Sequence, residues 1–268
     1  MSQAAGQLDS SDPLRILVNG QKPSVRDLRH PAAINYGHFT SMQVRSGKVR
    51  GLQLHIERIE RSHVELFGTP LDIEMVLDCM RLAVSEMADC YLRTVLYESE
   101  RGTTAVMTVQ RPAVRPSDTP ISLLPVEYQR SIAHVKHVGT FSKIYQAVVA
   151  ERAGFDDAVH TTTDGLISET TGANIGFWDD AGRVVWPTQP SLPGITWHLL
   201  EPALAQRGVE SVREPVSVSD VAGMREAFLT NSIGIAPVGR IGDHEMGDPS
   251  VIVDLLRLTY DEIPWDAM

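Results

Sequence analysis

The chain has 268 residues, of which 43% are hydrophobic and 22% are charged, so it is an ordinary globular sequence that can bury a substantial core. Its 24 basic residues are scattered and stand against 34 acidic ones, and the resulting net charge of −10 argues against a nucleic-acid partner. No apolar run approaches the length of a membrane-spanning helix, so a membrane partner is not expected.

The N-terminal segment and the two cysteines bear on where the protein works. Residues 1–13 are polar and lack the apolar stretch of a signal peptide, so we expect a disordered lead-in. Cys79 and Cys90 are 11 positions apart (90 − 79), a spacing that fits no metal-binding motif. Free thiols in a reducing compartment are the better interpretation, which makes the cytoplasm the expected location.

The first half of the sequence alternates short apolar runs, turn residues and two amphipathic stretches. The Asn19-Gly20 pair favours a tight turn after a strand, and apolar residues recur at helical spacing after Gln53 and after Asp72. The predicted elements of this half are a strand at 15–19, a hairpin at 39–45 and 49–52, a helix from about 53 that ends at Gly68, a helix at 72–87, and strands at 92–97 and 104–110.

A cluster of proline and serine residues between positions 112 and 120 is the best candidate for a domain boundary, because these residues disfavour both helix and sheet. We therefore predict an N-terminal α+β domain at 1–113, a linker at 114–120 and a C-terminal domain at 121–268.

The second half contains several short strands in meander order with a few helices. This order indicates an α+β fold with a β-rich C-terminal domain, and it disfavours a doubly wound parallel sheet. The predicted elements of this half are strands at 121–124, 158–162, 166–169, 174–178, 183–186 and 228–230, and helices at 142–152, 195–206 and 251–260.

Lys136 is the most informative of only four lysines in the chain. It precedes the predicted helix at 142–152, so it can project from a strand end into a cleft. A lysine amine there can form a Schiff base with a carbonyl cofactor, and desolvation would favour its neutral form. Lys143 is the rival amine, but its place just inside a helix predicts a solvated side chain. Local sequence alone leaves a surface lysine without a role as the alternative for Lys136.

An acid and two anion sites follow Lys136 in the sequence. Glu169 ends a predicted strand, where a carboxylate can keep a pyridine nitrogen protonated. Residues 194–196 begin a helix, whose free N–H groups and dipole attract anions. Residues 230–232 offer further donors, and Arg58 can supply a counter-charge to phosphate. The alternatives are an exposed glutamate, ordinary capping and a surface ion pair.

In combination these residues resemble the class IV aminotransferases, which are fold-type IV pyridoxal-phosphate enzymes. The resemblance rests on the 33 positions from Lys136 to Glu169 (169 − 136), on Ser-Glu-Thr-Thr-Gly-Ala-Asn at 168–174, and on Leu-Pro-Gly-Ile-Thr at 192–196. The family includes branched-chain aminotransferase, D-amino-acid aminotransferase and 4-amino-4-deoxychorismate lyase. The resemblance implies a two-domain α+β fold like that of D-amino-acid aminotransferase, pyridoxal 5′-phosphate as cofactor, amino-acid and oxo-acid substrates, and usually a homodimer.

The resemblance also assigns roles to individual residues. It makes Lys136 the Schiff-base lysine and Glu169 the partner of the pyridine nitrogen. The other residues that it implies as cofactor contacts are Arg58, Thr170, Asn174, Gly194, Ile195, Thr196, Asn231 and Ser232.

Three departures from the family pattern touch the substrate side. The segment at 35–41 lacks the usual Asp-Gly pair, Phe141 stands where branched-chain enzymes have a tyrosine, and Trp197 replaces a frequent arginine. Candidates for binding a substrate carboxylate are Arg45, Arg93 and His38, each of which has a structural or surface role as its alternative.

The leading hypothesis is a transaminase that moves an amino group between an amino acid and a 2-oxo acid. The first alternative is 4-amino-4-deoxychorismate lyase, which releases pyruvate and 4-aminobenzoate. Gly37-His38-Phe39-Thr40-Ser41 and the Lys136-His137 pair resemble that lyase, in which Thr40 would be a catalytic proton relay. The second alternative is a family member that binds a ligand without catalysis.

Overall fold

The computed structural model describes residues 14–268, so the lead-in expected at 1–13 lies outside the described residues. The described residues form two compact units. The N-terminal unit comprises 14–114, 135–140 and 264–268, and the C-terminal unit comprises 115–134 and 141–263. Lys136 therefore belongs to the N-terminal unit, although it follows the boundary predicted from the sequence. The limits 1–113, 114–120 and 121–268 stay a prediction about which parts fold independently.

The N-terminal unit is built on a four-stranded antiparallel sheet in the order β1-β5-β4-β2. Its elements are β1 Arg15–Val18, α1 Val25–Ala33, β2 His38–Val44, β3 Lys48–Val49, α2 Leu52–Phe67, α3 Ile73–Val84, β4 Cys90–Glu98, β5 Thr104–Pro112 and β15 Asp266–Ala267, which pairs with β3. The predicted turn is confirmed: Ser46 and Gly47 have φ of 49° and 71°, the left-handed pair that a tight turn requires. The second strand predicted at 49–52 is shorter than expected, because β3 ends at Val49 and α2 begins at Leu52. The free, buried thiols of Cys79 and Cys90 are also confirmed.

Helix α1 was not expected, because it buries none of its residues and so carries no core-facing apolar pattern. Local capping explains it. Ser24 and Asp27 form a capping box, in which the Ser24 N–H donates to the Asp27 carboxylate at 2.8 Å.

Strand alternation gives the N-terminal sheet two different faces. On one, which we call the helix-side face, Met42 of β2 and Leu92 of β4 pack with α2 and α3 into a core. On the other, which we call the aromatic face, Phe39 packs against Tyr97 and Val138. Neighbouring residues of one strand thus point into different environments.

The C-terminal unit is dominated by a nine-stranded mixed sheet. Its elements are β6 Ile121–Glu127, α4 Phe141–Arg152, β7 Asp157–Thr161, β8 Ile167–Thr170, β9 Asn174–Asp179, β10 Val184–Pro187, α5 Ile195–Gln206, β11 Ser211–Glu214, a 3-10 helix at Val218–Gly223, β12 Met224–Thr230, β13 Ile235–Ile241, β14 His244–Glu245 and α6 Ser250–Asp261.

This sheet curls until β8 pairs with β9, which closes β9-β12-β13-β6-β7-β8 into a ring. Ile167, Ile175 and Phe177 belong to the core of this ring, and α5 and α6 cover a second core around Trp186 and Phe228. The β-rich character predicted for this half is confirmed, and α5 matches its predicted bounds.

Candidate functional site

Lys136 lies on a segment that extends the N-terminal sheet beside β2. The Phe39 N–H donates to the Lys136 carbonyl at 2.9 Å, and the Val138 N–H donates to the Gly37 carbonyl at 2.9 Å. The Lys136 ammonium lies 4.9 Å from the centroid of the Phe39 ring. The half-buried lysine is thereby held against the aromatic face.

Arg58 of α2 lies on the helix-side face as a buried cation without an acidic partner. Its Nη2 donates to Thr40 Oγ1 at 2.5 Å, and Thr40 Oγ1 lies 2.6 Å from His55 Nδ1. Across residues 14–268 no carboxylate pairs with Arg58, and its Nε has no hydrogen-bond partner. Burial lowers the pKa of Arg58 to about 10. A buried charge with no counter-charge is costly, so this geometry suits an external anion.

Two more arginines lie on the aromatic face. The guanidinium of Arg93 is 3.6 Å from the Phe39 ring centroid, and that of Arg111 is 4.3 Å from the Tyr91 ring centroid. Neither has an acidic partner within the described part of the chain. Burial, helped by the nearby charge of Arg111, lowers the pKa of Arg93. This face can therefore receive a carboxylate.

The structure separates Arg93 from the other two carboxylate candidates. His38 lies on the helix-side face, where burial lowers its pKa to about 3, and its Nε2 is 3.3 Å from His63 Nδ1. It is therefore neutral at physiological pH and gives no charge to a carboxylate. Arg45 donates to the Gln43 side chain at 2.9 Å and to the Val44 carbonyl at 2.8 Å.

Glu169 sits at the end of β8 as a buried carboxylate with an ion-pair partner. Its Oε1 is 3.0 Å from Arg130 Nε, and its Oε2 accepts the Leu192 N–H at 3.1 Å. Burial works to raise the pKa of Glu169, but the charges of Lys143 and Arg130 and the Leu192 N–H outweigh it and hold the pKa below the usual range. Glu169 is thus kept ionised. Arg130 belongs to no motif, so nothing in the sequence marked it.

The expectation of a solvated Lys143 is wrong. The first turn of α4 exposes Phe141 and Tyr145 instead, while Lys143 is half-buried. Burial lowers the pKa of Lys143, although the nearby Glu169 acts to raise it. The apolar residues of this turn face solvent and not the core, so the side of the helix that was predicted to be solvated is the one that carries Lys143 inward.

The loop before α5 is tied to the start of β9, where Asn174 pairs with Glu169 of β8. Asn174 Nδ2 donates to the Leu192 carbonyl at 2.8 Å. A Cβ on Gly194 would lie 2.0 Å from Asn174 Oδ1, so only glycine fits there. No side chain in the described part of the chain caps α5, so its first N–H groups are available to an anion.

The remaining predicted contacts have structural partners in the same unit. Thr196 Oγ1 donates to the Asn231 carbonyl at 2.7 Å, which links the start of α5 to the turn that also contains Ser232. Asn231 itself closes that turn through its side chain, which accepts the Ile233 N–H at 2.8 Å. Thr170 Oγ1 accepts the Ala173 N–H at 3.1 Å and holds the turn after β8.

These residues fit pyridoxal phosphate. The uncapped start of α5 and the buried, unpartnered hydroxyl of Thr230 suit phosphate oxygens, and ionised Glu169 suits a protonated pyridine nitrogen. Within residues 14–268, no group of three or more His, Cys, Asp or Glu side chains is arranged to hold a metal. None of the helices described is both long and apolar enough to cross a bilayer.

Comparison with known proteins agrees with this chemistry. A sequence model of the family described as amino-transferase class IV matches residues 37–241, which is most of the chain. A Methanocaldococcus jannaschii protein named as a branched-chain-amino-acid aminotransferase is 24% identical over 265 residues, which cover 89% of this chain and 91% of the relative.

Two solved structures resemble the fold closely. One is an aminotransferase from Mycobacterium tuberculosis, described as hypothetical, in its PLP-bound form. It has a TM-score of 0.80 at 17% identity and covers 93% of this chain and 98% of its own. The other is a Legionella pneumophila protein described as a 4-amino-4-deoxychorismate lyase. It has a TM-score of 0.78 at 22% identity and covers 90% and 96%. At these identities the likeness concerns the fold, and the predicted α+β class is confirmed.

Proposed function

This chain belongs to the class IV aminotransferase family, and we propose that it is a pyridoxal-phosphate-dependent transaminase acting on an amino acid and a 2-oxo acid. The observation that carries the proposal is the buried carboxylate of Glu169, held ionised between Arg130 and the Leu192 N–H. An ionised acid so fixed can hold a proton on a pyridine nitrogen, which is the requirement for an electron-withdrawing ring.

When bound, pyridoxal phosphate supplies an aldehyde for the amino group and a ring that withdraws electrons from the substrate α-carbon. Lys136 would provide the amine for this aldehyde and would carry the proton at the substrate α-carbon. Glu169 would keep the ring nitrogen protonated. Arg58 would supply a counter-charge to the phosphate, and the N–H groups of Ile195 and Thr196 would donate to it.

The substrate carboxylate falls to Arg93 and Arg111 in this proposal. Both guanidinium groups stack on aromatic rings and lack an acidic partner among residues 14–268. A planar guanidinium binds a carboxylate through two parallel hydrogen bonds. The side-chain preference of the substrate is left open by these contacts.

The first test is the visible absorption spectrum of the purified protein with pyridoxal phosphate, followed by borohydride reduction and peptide mapping. We expect a cofactor band and a reduced label on Lys136. Lys143→Met is the matched control, because it removes the rival amine and is expected to leave the label in place. No band, or label on Lys22, Lys48 or Lys143, would overturn the assignment and favour a family member without this catalysis.

The lyase is the second candidate, favoured by the segment Gly37–Ser41 and the Lys136-His137 pair. The two reactions differ in what they release. Pyruvate formed from aminodeoxychorismate without an amino acceptor would favour the lyase. Spectral cycling that depends on an added 2-oxo acid would favour the transaminase.

We further propose a cytoplasmic homodimer. The two buried free thiols suit a reducing compartment, which supports the cytoplasmic location.

The start of α4 supports the homodimer. Phe141 and Tyr145 are 77% and 51% exposed there with their rings stacked, and such an apolar patch is typical of a protein interface. Sedimentation analysis tests this, since the monomer mass is 29.5 kDa.

A further inference from the structure

We propose that Thr40 positions the guanidinium of Arg58 for the cofactor phosphate, with its hydroxyl oriented by His55, and that it is not a proton relay. This inference rests on the proposed function. It concerns three buried side chains of the N-terminal unit: Thr40 is 0% exposed, His55 5% and Arg58 6%.

The chemistry of Arg58 fixes the direction of one of the two contacts. A guanidinium can only donate, so Thr40 Oγ1 accepts from Arg58 Nη2 at 2.5 Å. Thr40 Oγ1 also lies 2.6 Å from His55 Nδ1, and the tautomer of the imidazole decides which of these two atoms is the donor. Burial, with the neighbouring charge of Arg58, lowers the pKa of His55 well below its usual value, which agrees with a neutral ring.

The strand places Thr40 on the wrong face for proton transfer. Phe39, its neighbour, lies on the aromatic face beside the Lys136 ammonium, and successive side chains of a strand point in opposite directions. Thr40 therefore points to the helix-side face, where Arg58 and His55 contact its hydroxyl. A proton relay needs a hydrogen that can reach the reacting atoms.

Positioning matters because Arg58 has nothing else to hold it. No other hydrogen bond and no ion pair fixes its side chain in residues 14–268, and the side chain is long and flexible. A cation that is already oriented binds an anion without a further ordering cost. Loss of the Thr40 hydroxyl is thus expected to weaken phosphate binding specifically.

The test compares Thr40→Val with a matched control, Thr94→Val. Thr94 lies directly opposite Thr40 in the sheet and is also 0% exposed, but its hydroxyl has no hydrogen-bond partner within residues 14–268. Dissociation constants are measured on the full chain for pyridoxal phosphate and for pyridoxal, which lacks the phosphate. We expect Thr40→Val to raise the dissociation constant of pyridoxal phosphate about tenfold and that of pyridoxal less than about twofold, because only the phosphate contacts Arg58. Thr94→Val should change neither.

Two more variants protect the test against misfolding. Thr40→Ser keeps the hydroxyl and should restore the wild-type constant for pyridoxal phosphate. His55→Asn keeps a hydrogen-bonding atom near the position of Nδ1 and should bind pyridoxal phosphate better than His55→Leu. If Thr40→Val does not fold, the comparison of His55→Asn with His55→Leu decides. Equal affinity of these two variants for pyridoxal phosphate would overturn the proposal.

The outcomes also separate this inference from the proposed function. Unchanged affinity for pyridoxal phosphate together with a large fall in kcat for Thr40→Val would identify a proton relay and overturn the positioning role. Equal losses for pyridoxal phosphate and pyridoxal would indicate general damage and overturn it too. A wild-type protein that binds neither pyridoxal phosphate nor inorganic phosphate would overturn both the function and the inference.

Discussion

Arg130 of the C-terminal unit and Arg58 of the N-terminal unit are both almost excluded from solvent, at 9% and 6% exposure, yet their charges are treated differently. Arg130 faces Glu169 at 3.0 Å, so its charge is balanced inside the fold. Arg58 has only the Thr40 hydroxyl as a hydrogen-bond partner among residues 14–268. The first arginine is therefore completed by the chain itself, whereas the second is arranged for an anion that must come from outside.

Because of this difference, we expect loss of the Arg130 side chain to affect stability and loss of the Arg58 side chain to affect ligand binding. Removing one member of a buried ion pair leaves the other charge stranded, which mainly affects stability. Removing an unpaired buried cation relieves a desolvation penalty, so the effect appears in ligand binding instead. The predictions below test that division, from the largest effect to the smallest.

Arg130→Met should destabilise the fold by about 3–5 kcal/mol, because it leaves Glu169 as a buried carboxylate without its closest cation. Urea unfolding of the protein without added cofactor measures the change. Arg81→Met is the control, since the Arg81–Asp78 pair is 45% and 68% exposed and should matter by less than about 1 kcal/mol. A loss for Arg130→Met no larger than that of the control would show that the two arginines do not differ as described.

Arg58→Met should leave the unfolding free energy of the cofactor-free protein unchanged or higher. It should weaken the binding of pyridoxal phosphate by about 2–3 kcal/mol, which is the energy of charge-assisted hydrogen bonds to a phosphate. Thermal unfolding with and without pyridoxal phosphate measures both, because a ligand that binds only the folded state raises its stability. A lower melting temperature without cofactor, combined with normal cofactor stabilisation, contradicts the prediction.

The contrast between the two arginines also marks what the sequence can predict. Helix α5 and the Ser46-Gly47 hairpin were predictable because their signals are local. Strand β13 was missed, since Pro237 and Gly239 interrupt its pattern. It forms a hairpin with β12, but its other partner, β6, is distant in sequence, and local periodicity does not encode that pairing.

The site follows the same rule. The residue types at Lys136, Glu169 and 194–196 were sufficient to predict a cofactor. The partner of each charged side chain could not be predicted from the sequence. Arg130 was missed because a lone arginine has no spacing signature. Lys143 was judged solvated because an amphipathic pattern says which residues share a face of a helix, and not which face meets the core.

His160 extends the comparison from cations to a buried titratable group with no partner. It is 0% exposed, and neither ring nitrogen has a hydrogen-bond partner in the described residues. Burial lowers its pKa to about 4, and the charges of Lys143 and Arg130 act in the same direction against that of Glu169. Between pH 6.5 and about 4, the unfolded chain therefore binds a proton that the folded chain does not, so stability falls as the pH falls.

His160→Phe removes this term and keeps a ring against Tyr128. The gain in unfolding free energy over wild type should be about 1–2 kcal/mol larger at pH 5 than at pH 7.5. Urea unfolding at the two pH values measures it. Burial raises the pKa of Asp157 to about 6, which gives a term of opposite sign, but that term is common to both proteins and cancels in the difference. An equal gain at both pH values would mean that His160 titrates normally.

The smallest predicted effect concerns Asn174, and it tests whether the contact between Asn174 and Leu192 supports the phosphate site at the start of α5. The Leu192 peptides are held on both sides: the N–H by Glu169 at 3.1 Å and the carbonyl by Asn174 at 2.8 Å. Asn174→Ala frees the carbonyl only, so the start of α5 should loosen while Glu169 stays paired with Arg130. We expect pyridoxal phosphate to bind about fivefold more weakly, or about 1 kcal/mol, with a smaller change for pyridoxal. Equilibrium dialysis with both compounds decides. If the affinity for pyridoxal falls as much as that for pyridoxal phosphate, the contact between Asn174 and Leu192 does not act through the phosphate, and the prediction is wrong.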